Sequence, residues 1–189
     1  ALLLSELRNN KIKRFVQTVS YFPHFIASVI VVGMMFTFLS PVDGIINEML
    51  SRLGMERINF MDESKYFRTL YIASGIWQSF GWDSILYISA LSAIPTEQYE
   101  TAKIDGASRF QQTLYVSLPG IMPTFIILFI LQVGKIMSVG SSKILLMYSP
   151  STYDVADVIS TYVYRKSIVG GEFSFGTAVD VFNMVINFV

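Results

Sequence analysis

The side chains available for covalent chemistry are few. One histidine, His24, and no cysteine occur in 189 residues. A histidine zinc site, a Ser-His-Asp triad and a thiolate nucleophile are therefore not expected, and no metal site is predicted. No Gly-x-x-x-x-Gly-Lys-Ser/Thr loop is present to cradle a nucleotide's phosphates, so no catalytic residue for ATP hydrolysis is assigned. The ionisable groups of interest stand where charge is expensive. Asp83, Lys135 and Asp180 lie in or at the edge of apolar runs, and a charge there normally faces a partner or an aqueous cavity. Trp77, Gln78 and Asp83 in one run, with Asp180 and Asn183 in another, are the candidates for a polar pathway lining. The competing readings are local ion pairing for the charges and an interfacial belt for the aromatics, Trp82 and Tyr87 included. Lys135 can also snorkel from a helix end. His24, without a relay partner in sequence, reads as buried, neutral and hydrogen-bonded.

The runs that would hold these residues are long. Charged residues make up 15% of the chain, against roughly 25% in an ordinary globular domain. Apolar residues make up 52% and aromatics 14%, which excludes disorder. Fourteen Lys+Arg balance fourteen Asp+Glu, so no nucleic-acid surface is advertised. Spans are predicted at about 15–40, 69–94 and 119–139, each with at most one charge and long enough for a bilayer core of about 30 Å, and a truncated fourth at 173–189 carries Asp180. Arg8, Lys11, Lys13 and Arg14 precede the first complete span and place that end in the cytoplasm. Alternation then puts 5–14 and 95–118 inside, and 41–68 and 140–172 outside.

The loops carry helical patterns. Ile45, Ile46, Met49, Leu50 and Leu53 fall at helical spacing before Gly54. Ser151-x-x-Asp154 has the form of a capping box for a helix over 154–163, closed by Gly170-Gly171. In 95–119, Pro95 can open a helix whose first turns hold Glu97 and Glu100, and Asp105-Gly106 can close it. Ser108-x-x-Gln111 recaps a second helix, which Pro119 is expected to stop. The result is two short helices hinged at a glycine. A DNA-binding helix-turn-helix has a similar outline, but this loop is net acidic.

That loop resembles the cytoplasmic motif of permease subunits of bacterial binding-protein-dependent ABC importers: Glu-Ala-Ala, three residues, Gly, nine residues, Ile-x-Leu-Pro. Here the positions are Glu100, Thr101, Ala102, then Gly106, then Val116, Leu118 and Pro119. Thr101 and Val116 are mild departures. Pro41-x-x-Gly44-x-x-Asn47 and Tyr153-x-Val155-Ala156-Asp157-Val158-Ile159 are similar to the oligosaccharide and polysaccharide branch. The resemblance covers essentially the whole chain.

It implies an all-α integral membrane fold, the MetI-like permease bundle, represented by a fragment of about three full spans plus partial flanking ones. The chain is then a single permease domain, 1–189, in a multi-pass protein of the bacterial inner membrane. The resemblance also implies a non-catalytic transport subunit for a carbohydrate, an oligosaccharide being the expected solute. The implied partners are two cytoplasmic ATPase subunits, a second permease and an extracytoplasmic solute-binding protein. ATP and Mg would be held by the ATPases and no cofactor by this chain. Glu97, Glu100, Thr101, Ala102, Asp105, Gly106, Ala107, Leu118 and Pro119 would form the ATPase-coupling surface. Peptide, amino acid or phosphate transport stays open, as does a membrane enzyme using Asp83 and Asp180 as a carboxylate pair, or a channel.

Overall fold

The computed structural model describes residues 1–7, 9–135 and 140–188, with side chains as far as Ile186. Arg8 of the basic cluster and the tail 136–139 of the third expected span lie outside the described residues. In chain order the helices are α1 (Leu2–Ser5), α2 (Asn10–Tyr21), α3 (Ser28–Phe38), α4 (Ile45–Arg52), α5 (Ser64–Ser92), α6 (Thr96–Ile104), α7 (Arg109–Gln112), α8 (Leu118–Val133), α9 (Ser141–Met147), α10 (Tyr153–Ala156), α11 (Ile159–Val163) and α12 (Phe173–Phe188). A 3-10 turn occupies Phe22–Phe25, and π-helical turns occupy Thr113–Ser117 and Tyr164–Val169. No strand occurs among the described residues, as expected for an all-α fold. The helices gather into two compact units, Ala1–Phe25 with Trp77–Val133 and Ile26–Ile76 with Gly134–Val189.

In the first unit α2 starts at Asn9, whose Oδ1 accepts the Lys11 N–H at 2.9 Å. It packs so tightly on α5 that a Cβ at buried Gly81 would overlap the Ser20 carbonyl. The run α7, π-turn and α8 is continuous from Arg109 to Val133, and this corrects the expectation that Pro119 ends a helix. The π-turn is the reason. Leu118 N–H reaches back five residues to the Thr113 carbonyl, so the ladder is already widened where the proline, lacking its own N–H, follows. Among the described residues this 25-residue run is the one helix long and apolar enough to cross a membrane unaided. Only 11% of its most apolar stretch is buried, whereas the core helix of a soluble protein would be mostly buried.

The expected span 15–40 is not one helix. It breaks between Phe22 and Ala27, where Pro23 removes an N–H and the backbone tightens into the 3-10 turn. The expected span 69–94 corresponds to α5, which begins earlier and runs for 29 residues through both units.

The second unit has a compact apolar centre of Val32, Met61, Phe67, Ile144, Met147 and Ala156. Beside it, fully buried Asn47 ties three backbone segments together. Its Nδ2 lies within 3.0 Å of the Leu39, Ser40 and Ile58 carbonyls, and its Oδ1 accepts the Ile58 N–H at 2.8 Å. Gly44 is needed in the same knot, because a Cβ there would lie 2.6 Å from Ser40 N. Gly54 closes α4 at φ 77°, as its spacing predicted. Loops 41–68 and 140–172 meet through Ser64 Oγ, 2.8 Å from Asp154 Oδ1, and Ser149 Oγ, which donates to Asp62 at 3.3 Å. Asp154 thus serves Ser64, and the expected Ser151 capping box does not form. The predicted helix 154–163 is also interrupted, at Asp157–Val158, before the π-turn that Gly170-Gly171 terminates.

Candidate functional site

α6 is bound to the rest of its unit by little. None of its residues is buried, and Ile104 is 86% exposed. Its tether is Tyr99, whose hydroxyl lies 2.9 Å from Oγ of buried Ser117 in the π-turn. Pro95 takes the N-cap position rather than the first helical one. Thr101 Oγ1 donates to the Glu97 carbonyl at 2.9 Å, and Asp105 caps the end. Gly106 follows at φ 77°, the left-handed conformation anticipated for it. Its N–H donates to the Lys103 carbonyl at 3.0 Å, while Ala107 N–H reaches the Ala102 carbonyl at 2.9 Å. These two bonds form a Schellman closure.

The recapping at Ser108 is also present. Gln111 N–H donates to Ser108 Oγ at 3.3 Å and Ser108 N–H to Gln111 Oε1 at 2.7 Å. Arg109 pairs with Glu6 at 3.3 Å, joining the N-terminal segment to this loop. Among the described residues no ion pair engages Glu97, Glu100 or Asp105, so three carboxylates stand exposed on one hinged helical element. Ile104 and Phe110, the latter 76% exposed, stand apolar beside them. Leu118 and Pro119 open α8 and are exposed. Such a surface suits a protein partner with basic and apolar groups.

The candidate lining residues divide between the units. Trp77, Gln78 and Asp83 belong to the first, with Trp77 and Asp83 exposed. His24 is not buried there. It is exposed and stacked on Trp82, with centroids 4.3 Å apart and planes 3° from parallel, and Phe25 meets the same indole edge-on. Asp180 and Asn183 share a cavity of about 420 Å³ in the second unit with Ser141, Ser160, Ser167 and Thr177. Ser167 is a residue that the sequence did not single out. No spacing marks it, because its inward direction is set by the π-turn. Asp83 and Asp180 are thus on different units, and no cluster suited to a metal ion occurs among the described residues.

On the loops of the second unit, Asp157 is engaged by Arg165 at 2.6 Å and by the Thr161 hydroxyl, also at 2.6 Å. The guanidinium holds its carboxyl below the ordinary value, against the opposing effect of burial. Arg165 also lies 5.2 Å from the Tyr153 ring centroid. Glu48 and Arg52, both exposed, pair with each other at 2.6 Å on α4.

A helix closed at Gly106 displays Glu97, Glu100 and Asp105, and beyond that hinge a second helix runs from Arg109 into an apolar stretch. The family described as "Binding-protein-dependent transport system inner membrane component" matches residues 1–189. This chain belongs to that family. The polygalacturonan/rhamnogalacturonan transport system permease protein YteP of Bacillus subtilis (strain 168) is 40% identical over the whole chain, which covers 59% of that relative. The arabinooligosaccharides transport system permease protein AraP of Halalkalibacterium halodurans is 28% identical and 61% covered. A crystal structure of a bacterial ABC transporter involved in the import of the acidic polysaccharide alginate superposes with a TM-score of 0.95 at 43% identity, over 99% of this chain and 65% of that one. The chain therefore spans about three fifths of the length of these curated relatives. As a member of this family it has the MetI-like fold and is a membrane component.

Proposed function

We propose that this permease lines the transmembrane pathway of an ATP-driven oligosaccharide importer and that the α6–Gly106–α7 element couples it to its ATPases. The carrying observation is that α6 has no buried residue, is closed at Gly106 and displays Glu97, Glu100 and Asp105 without ion-pair partners among the described residues. The sugar class is supported by YteP and AraP, whose names give polysaccharide and oligosaccharide transport. The chain itself would be non-catalytic. ATP and Mg would belong to the cytoplasmic subunits, and a second, related permease and a solute-binding protein would complete the assembly. One alginate transporter structure holds a pentasaccharide-bound periplasmic protein, which supports the last partner.

The topology proposed is 5–14 and 95–118 in the cytoplasm, with 41–68 and 140–172 outside. The Glu6–Arg109 pair supports a common side for the first two, and the Ser64–Asp154 and Ser149–Asp62 contacts for the second two. Spans near 15–40, 69–94, 119–139 and 173–189 belong to the same reading, and Trp77, Gln78, Asp83, Asp180 and Asn183 would contribute to the pathway. Glu48 and Arg52 on α4 are offered as docking residues for the binding protein. Asp157, which pairs with Arg165, is offered with them.

The test is Glu100→Lys and Gly106→Ala in the reconstituted transporter. Both variants should reach the membrane folded, yet lower ATPase association or substrate-stimulated hydrolysis by about tenfold. An Ala side chain at Gly106 meets no neighbour, so its effect is the strain of a positive φ. Full assembly and full coupled transport in both would refute the coupling role.

A further inference from the structure

The cavity in the second unit is built for a ligand that donates hydrogen bonds. Two polar atoms on its wall, Ser167 Oγ and Asn183 Oδ1, are shielded from solvent and make no hydrogen bond. Ser167 is only 4% exposed. Leaving such atoms unmatched is unfavourable, so each calls for a partner that enters the cavity. The π-turn Tyr164–Val169 turns Ser167 inward, and π-turns are frequent at functional sites. Gly176 on α12 makes the room: a Cβ there would overlap Ser167 Oγ and lie 2.9 Å from its Cβ.

The rest of the lining defines the ligand's chemistry. Asp180 and Asn183 Oδ1 are acceptors, while Ser141, Ser160, Thr177 and Tyr164 carry hydroxyls. No Lys or Arg is among the lining residues. A uronate carboxylate would meet Asp180 with no cation to offset it, whereas sugar hydroxyls would find acceptors. Tyr164 and Phe173 supply flat apolar faces. The volume, about 420 Å³, falls in the usual range of about 300–1,000 Å³ for small-molecule sites. The geometry points to a subsite for the hydroxyl face of a neutral hexose unit, formed by Ser167, Asp180 and Asn183. This rests on the oligosaccharide-importer reading, and it separates this permease's cavity from one selecting acidic sugars.

The experiment uses the full-length permease with its partner subunits, carrying Ser167→Cys in a background free of other cysteines. The rate of modification by a small methanethiosulfonate is measured with 1,4-linked galactotriose or 1,4-linked trigalacturonate, which differ only in oxidation at C6. Galactotriose should slow modification by about tenfold and trigalacturonate should not. Asn183→Leu, which removes the acceptor, should abolish the protection, and Asn183→Asp, which keeps it, should retain it. No protection by galactotriose, equal protection by trigalacturonate, protection indifferent to Asn183→Leu, or a cysteine unreactive without sugar would each overturn the assignment. Hydrolysis stimulated by oligosaccharide-loaded binding protein is measured in the same preparation. Stimulation without protection defeats the subsite alone, and the absence of stimulation by any oligosaccharide defeats the importer reading.

Discussion

Asn47 and Gly44 give a physical meaning to a motif that the sequence supplied only as a resemblance. Asn47 uses its amide on both sides, with Nδ2 toward three carbonyls and Oδ1 toward Ile58 N–H, and it has no solvent exposure. Asn47→Ala removes these bonds and leaves the N–H of half-buried Ile58 unmatched, and should cost about 2–4 kcal/mol. A thermal melt of the purified permease would register that loss, and an unchanged midpoint would refute the role of Asn47 as the tie between segments. Nothing in the spacing of Asn47 announced it, since its partners lie 7 to 11 residues away in sequence. Gly106 was legible, by contrast, because a helix end is a local event and a glycine is the cheapest residue at positive φ. His24 was misread for the same reason that Asn47 was missed: its stacking partner, Trp82, comes from a distant helix.

At the level of elements, two glycines on neighbouring helices make a contrast. A Cβ at Gly81 would collide with backbone, the Ser20 carbonyl, where α2 crosses α5. A Cβ at Gly120 would meet Ile94 Cδ1 and Cγ1, the movable end of a side chain. Gly81→Ala should therefore lower the yield of folded permease severalfold, the result of forcing two packed helices apart. Gly120→Ala should stay near the parent yield, read as the monodisperse fraction in size-exclusion chromatography. Equal yields would show that the α2–α5 contact is not tight. The start of α7 was readable from its cap, Ser108. Helix ends were less so, because Pro119 is a stop only in a regular α-ladder, and the preceding π-turn changes the ladder. Ser151 is not the cap because Thr152 takes the N-cap position of α10, and the Ser151 hydroxyl is bonded to that of Ser149.

The whole molecule displays far more apolar surface than its small centre conceals. Ile127, Ile130 and Leu131 on α8 and Phe182 and Met184 on α12 are all more than half exposed, as membrane-facing or subunit-facing helices require. The proposed sidedness can be tested cleanly because the chain has no cysteine. Glu56→Cys should react with a membrane-impermeant reagent added to intact cells, and Ser108→Cys should react only after permeabilisation. The reverse pattern would invert the topology. The unbroken run from Arg109 to Val133 has a mechanical consequence. At 1.5 Å per residue it is about 37 Å long, and it continues through the π-turn and Pro123 without ending. A tilt of about 5° imposed at its capped end would displace the far end by about 3 Å, roughly the width of a water molecule. In the proposed topology a helix of this length carries a small push from the hinged loop toward the opposite face of the bilayer without a relay of rearranged side chains.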